Sequence, residues 1–206
     1  MDTFTSFPQK SLKRHDLETY TSDLEIQGVI FAAFGRVSDM VNRKDRDYIV
    51  VQEARITPLG QTPNQRALTT PLMVAQQHVH FISVAPQYDE PAAPKQQDAQ
   101  HGRDFVIKKV PTLCYVLTDT FVIYGRCHLL HGANLENLLE TGGYFIPITD
   151  ATVYLKSPTA ATWFRELVIL HKEKIQVMYV IDRKTTNELP DDPMDAGLSP
   201  LRRLAP

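Results

Sequence analysis

Seven histidines and two cysteines are the side chains of this chain most suited to metal binding or nucleophilic chemistry. His78 and His80 flank Val79. Alternate residues of a regular strand share a face, so this spacing is one way a strand offers two ligands to a metal ion. His128 and His131 form a second close pair. Neither pair has a matched third ligand nearby, so no metal site is assigned, and His78 and His80 stand as the nearest approach to one. Cys114 and Cys127 lack C-x-x-C spacing and are too few for a disulfide framework or an all-cysteine zinc site. They read as reduced thiols on apolar strands. Nucleophilic catalysis by serine needs a tight turn such as G-x-S-x-G, which the chain does not contain, and Ser38 stands in a different context. No Walker A or G-x-G-x-x-G segment appears either. The expectation is a protein without catalytic residues or a cofactor.

Charge narrows the partners. Lys and Arg number 22 against 24 Asp and Glu. Such a balance creates no broad field to attract nucleic acid or an anionic membrane. No run of about 18 apolar residues and no basic segment followed by an apolar stretch is present, which makes the cytoplasm the expected location.

The elements that must position these residues come from a repeat. Tyr20, Leu24, Ile26 and Gly28 align with Leu117, Phe121, Ile123 and Gly125 at a constant offset of 97 residues. Val37, Met40 and Val41 match Leu135, Leu138 and Leu139, and Ile49, Val51, Ala54 and Ile56 match Ile146, Ile148, Ala151 and Val153. The shared positions are apolar or glycine while the charges between them differ. Two copies of one core pattern are therefore expected.

Each copy reads as strand, strand, short helix, strand, strand, strand. Ser22 and Asp23 favour a turn and make the first two strands a hairpin. Spacing of i, i+3, i+4 gives the helix, and Gly142 is placed to end the second one. In the third strand the alternation slips by one residue near Gln52 and Glu53, and again before Ala151. One extra residue is what a β-bulge supplies, and bulges bend strands as small barrels require. The fold class expected is mainly β: two tandem, small, bent five-stranded barrels, each with a short helix. The boundaries are a mobile start at 1–13, a first module at 14–86, a Pro- and Gln-rich linker at 87–104, a second module at 105–182 and a mobile tail at 183–206.

Gly35, Arg36, Val37, Ser38, Asp39, Met40, Val41 and Asn42 resemble a bacterial domain family of unknown function. Its mark is glycine, arginine, an aliphatic residue, Ser-Asp and a closing aliphatic-Asn pair. The second copy keeps the aliphatic positions but not the arginine, the Ser-Asp pair or the asparagine. The motif's polar residues have a structural use: Ser38 or Asp39 can cap the helix, and Asn42 can end it in a left-handed conformation. Arg36 with Asp39 can otherwise show a partner a polar patch. The order of elements also resembles the Sm-like and SH3-like barrels, a likeness at fold level that carries no function.

Two further features point to an interaction protein. In the last strands Ile82 and Val84, and in the second copy Met178 and Val180, are apolar on the face opposite the one expected to be buried, so something is expected to cover them. Trp163 and Phe164, placed in a connection beside Arg165, have the composition of an interface hot spot; Trp163 closing the bottom of its barrel is the competing reading. The function expected is a non-catalytic interaction or scaffold protein that joins a protein partner or itself. The alternative is a regulatory module that binds RNA or a small ligand, and a metal-dependent enzyme ranks last. Salt-dependent RNA binding would mark the alternative.

Overall fold

The computed structural model describes residues 13–32, 36–43, 45–62, 67–84, 109–141, 143–157 and 161–181. The chain divides into two compact units, residues 1–85 and 86–206. Gly35, Gly142, residues 87–104 and residues 183–206 lie outside the described residues.

The first unit runs β1 (Lys13–Tyr20), β2 (Leu24–Ala32), α1 (Val37–Val41), β3 (Tyr48–Pro58), β4 (Leu72–Ala75), a 3-10 turn (Gln76–His78) and β5 (Phe81–Val84). The hairpin between β1 and β2 closes at Thr21, whose backbone N–H donates to Leu24 O at 2.9 Å and whose hydroxyl accepts from Leu24 N–H at 3.0 Å. All pairings are antiparallel, in the order β5-β1-β2-β3-β4. The second unit repeats the order of elements: β6 (Lys109–Leu117), β7 (Phe121–Leu130), α2 (Leu135–Thr141), β8 (Phe145–Leu155), β9 (Thr162–His171), a 3-10 turn (Lys172–Lys174) and β10 (Val177–Val180). Its strands pair as β10-β6-β7-β8-β9. The protein is thus mainly β and antiparallel. In neither unit does a ladder among the described residues join the two edge strands, so the pairing does not close into a barrel.

The slip in alternation has a physical counterpart in both units. Gln27 pairs with Arg55 but Val29 pairs with Gln52, leaving Glu53 and Ala54 opposite Gly28. Tyr124 pairs with Thr152 but Arg126 with Thr149, leaving Asp150 and Ala151 opposite Gly125. The extra residue takes the left-handed conformation, at φ 52° for Glu53 and 51° for Asp150. Val51 and Ala54, like Ile148 and Ala151, are three residues apart and would otherwise fall on opposite faces; the added residue returns Ala54 and Ala151 to the core side. Glycine faces the bulge because a Cβ on Gly28 would lie 2.4 Å from Val51 Cγ1 and 2.7 Å from Gln52 O.

Strand register defines the inner face of each sheet. In the first unit it carries Leu17, Thr19, Ile26, Ile30, Val51 and Ala54, all buried, and in the second Cys114, Val116, Ile123, Cys127, Ala151 and Val153, likewise buried. Helix α1 buries Val37 and Val41. Asp39 reaches back to accept from Arg36 N–H at 3.4 Å, while Asn42 has φ −85° and is not left-handed, contrary to expectation. The first turn is therefore capped by Asp39, and Ser38 O accepts from Asn42 N–H within the helix ladder.

Candidate interaction surface

The outer face of the second unit is assembled from tyrosines on different strands. Tyr179 of β10 pairs with Tyr115 of β6, Tyr115 with Tyr124 of β7, Tyr124 with Thr152 of β8, and Thr152 with Phe164 of β9. These five residues form one row across all five strands. The adjacent row runs Val177, Leu117, Val122, Tyr154 and Thr162. Tyr115, Val122 and Tyr154 make a small cluster of their own, joined by Leu117, Tyr124 and Ile181. Tyr115 and Tyr179 stack with centroids 5.0 Å apart. Burial, and after it the neighbouring Tyr179, pushes the Tyr115 phenol up from its ordinary value; burial and Tyr124 do the same to Tyr179. Both therefore stay neutral at physiological pH, and the row adds no charge.

The rings cover one another at the middle of the row but not at its ends. Phe164 is 63% exposed and Tyr179 41%, and Val177 next to Tyr179 is 47% exposed. The equivalent row of the first unit is Ser83, Glu18, Gln27 and Arg55, with no aromatic member. Near the second unit's row, Arg126 Nε stands 3.7 Å from Asp150 Oδ2, the residue of the bulge.

Register corrects the assignment of the last strands. Ile82 pairs with Thr19 and Val84 with Leu17, both core-face residues, and Ile82 is fully buried with Val84 half-buried. Met178 pairs with Val116 and Val180 with Cys114, again on the inner face, where Met178 is half-buried and Val180 is 41% exposed. These four are therefore not the outer face; that face of β10 carries Val177 and Tyr179. The sequence misassigned it because a strand only four residues long with apolar groups on both sides has no alternation to read. β5 is buried on both faces, whereas three of the four residues of β10 are exposed.

The other predicted residues separate. Trp163 and Phe164 lie in β9 rather than in a connection, and point to opposite faces. Trp163 pairs with Val153 on the inner face, is half-buried and meets Phe121 at 6.5 Å, which fits the reading in which it closes its own core. His78 sits exposed in the 3-10 turn beside Gln77, while His80 is fully buried with Nε2 3.2 Å from Ser22 Oγ. One is exposed and the other buried, so the two do not present a shared face to a metal ion. His128 Nε2 lies 3.0 Å from Thr149 Oγ1, and His131 is exposed in the turn after β7. Among the described residues no group of three or more His, Cys, Asp or Glu is arranged to hold a metal ion. Cys114 and Cys127 are both free and buried, two residues apart in register on adjacent strands, and the contact with Cys127 together with burial holds the Cys114 thiol well above the ordinary range. Arg36 and Asp39 are exposed around the start of α1, and Ser38 and Asn42 are half-buried.

Among the described residues no helix is long and apolar enough to cross a membrane. In comparisons with protein-family models, with curated proteins and with solved structures, nothing matches this chain.

Proposed function

We propose that the chain is a non-catalytic interaction protein made of two copies of one β module, each curled toward a small barrel by its bulge, and that the tyrosine face of the second module docks a protein partner or a second chain in the cytoplasm. The exposed ends of an otherwise self-covered aromatic row, Phe164 at one edge and Tyr179 with Val177 at the other, carry this reading. Aromatic rings supply large contact area at low entropic cost, which is why they anchor interfaces. Among the described residues β10 stands at one end of the strand order, and four residues is short enough to keep such an edge from aggregating. The near-neutral charge gives nucleic acid no broad surface to bind.

The test is a double variant, Phe164→Lys with Tyr179→Lys, compared with the parent chain by sedimentation and by quantitative mass spectrometry of proteins recovered with it from its host. Loss of self-association or of a defined partner, with circular dichroism unchanged, is the expected result. A variant that keeps the parent's sedimentation and its partners shows that the row is only a satellite of the core.

A further inference from the structure

Three of the four residues of β10 are exposed, whereas the first three residues of β5, which holds the same place in the first unit, are buried. The side chains left open on β10 are complementary to themselves. We propose that β10 pairs antiparallel with β10 of a second copy of this chain, about a two-fold axis that sets Tyr179 opposite its own mate and joins two tyrosine rows into one. The proposal deepens the docking reading and rests on it, since it names a second chain as the occupant of the Tyr179 end of the row.

Hydrogen-bond parity decides which backbone groups can take part. Ile181 N–H donates to Leu113 O at 2.9 Å, and Val180 pairs with Cys114 in the same register. Along an antiparallel ladder, hydrogen-bonded and non-hydrogen-bonded pairs alternate. Val177, Tyr179 and Ile181 therefore direct their backbone groups toward β6. Met178 and Val180 direct theirs the other way, off the side on which β10 ends the strand order among the described residues.

Side-chain faces then select the register. A two-fold axis normal to the sheet keeps each face continuous only where residues of one face stand opposite each other. Two registers near the middle of the strand meet that condition. With Met178 opposite itself, the polar Gln176 falls against Val180. With Tyr179 opposite itself, Met178 meets Val180 and Val177 meets Ile181, so every side chain from Val177 to Ile181 faces an apolar or aromatic partner. In this second register Met178 and Val180 exchange backbone hydrogen bonds across the axis, and the Tyr179 pair is of the non-hydrogen-bonded kind, whose side chains stand closer. Val177 is 47% exposed and Tyr179 and Val180 41% each, so the pairing covers groups that lie open in one chain. Natural edges are commonly guarded against such pairing by a charge or a proline. β10 carries neither, so no like charges meet across the axis. An isologous contact of this kind closes after two chains and does not propagate.

The test is sedimentation of the full chain over a concentration series, with Val180→Pro, Tyr179→Cys and Met178→Cys compared with the parent. The parent should form a dimer that dissociates on dilution. Val180→Pro removes a donor directed off the edge and leaves the bonds to β6, so it should weaken the dimer about tenfold or more, as two lost hydrogen bonds imply, with circular dichroism unchanged. Under air oxidation Tyr179→Cys should cross-link two chains through residue 179, as mapped by mass spectrometry, because partners in a non-hydrogen-bonded pair have Cα atoms about 4.5 Å apart, within disulfide reach. Met178→Cys, which stands opposite residue 180, should not, and this pair of variants decides the matter where Val180→Pro fails to fold. A parent that sediments as a monomer at submillimolar concentration, or a folded Val180→Pro variant that dimerises as tightly as the parent, would overturn the pairing. Cross-linking of Met178→Cys as fast as that of Tyr179→Cys would overturn the register. A monomeric parent that still loses a defined host protein on Phe164→Lys with Tyr179→Lys would overturn the second copy as occupant while the docking reading stands.

Discussion

Adding a single methyl group to Gly28 should destabilise the first unit more than the same change at Gly125 destabilises the second. At Gly28 the new Cβ would lie 2.4 Å from Val51 Cγ1, 2.7 Å from Gln52 O and 3.3 Å from Ala54 Cα. At Gly125 the corresponding distances are 2.6 Å to Ile148 Cγ2, 3.0 Å to Thr149 O and 3.2 Å to Ala151 Cα. Valine cannot swing away freely because its branch at Cβ restricts χ1, and Gln52 O belongs to the backbone at the bulge, so relief requires shifting the ladder. Overpacking of this kind costs about 1 to 3 kcal/mol. Against it, alanine narrows the unfolded ensemble by about 0.4 to 1 kcal/mol. The net expectation is a loss of about 2 kcal/mol for Gly28→Ala and about 1 kcal/mol for Gly125→Ala. In a domain of 60–100 residues each kcal/mol shifts the melting midpoint by about 4 to 8 °C, so the first change should lower Tm by about 10 °C. Urea denaturation of the full chain, followed by circular dichroism and with Trp163 reporting the second unit, separates the two. A Gly28→Ala variant within about 0.5 kcal/mol of the parent, or a Gly125→Ala variant that loses more, would refute the close approach of β2 to the bulge.

The left-handed bulge residue gives a second expectation: Glu53→Gly should match or exceed the parent in urea midpoint, because an exposed ion pair stabilises little, whereas Glu53→Val should fall below it, since a β-branched residue is a genuine outlier at φ 52°. His171, buried against Phe145 at 4.7 Å and accepting from Glu173 N–H through Nδ1, is held below the ordinary histidine pKa of 6.5 chiefly by burial. Its folded value is depressed, so the unfolded chain binds the extra proton first; the stability it contributes is complete above about pH 6.5 and is lost as pH falls through the folded value. An NMR titration of His171 should accordingly give a midpoint below 6.5, and a midpoint above it would contradict the buried neutral ring. Finally, Cys114 and Cys127 should resist a thiol reagent in the native state and react together on unfolding in urea, because both are buried and Cys114 is held protonated; rapid native labelling would show that β6 and β7 open.

Much of the framework was legible without coordinates. The Ser22–Asp23 turn, the short helices at Val37 and Leu135 and the one-residue slips before Ala54 and Ala151 each depend on neighbours a few residues away. Backbone geometry couples such neighbours directly, with period two in strands and about 3.6 in helices. The tyrosine row was not legible. Tyr115, Tyr124, Thr152, Phe164 and Tyr179 are scattered over 65 positions of sequence and become one surface only through four separate strand pairings. The burial of His80 and the true faces of Ile82, Val84, Met178 and Val180 were likewise decided by register, because β5 and β10 are too short for their own alternation to choose a side. Local pattern thus set which segments are strands and where they bend; only the pairing of distant strands, which fixes what stands beside and above each side chain, decided which of their faces could meet a partner or a ligand.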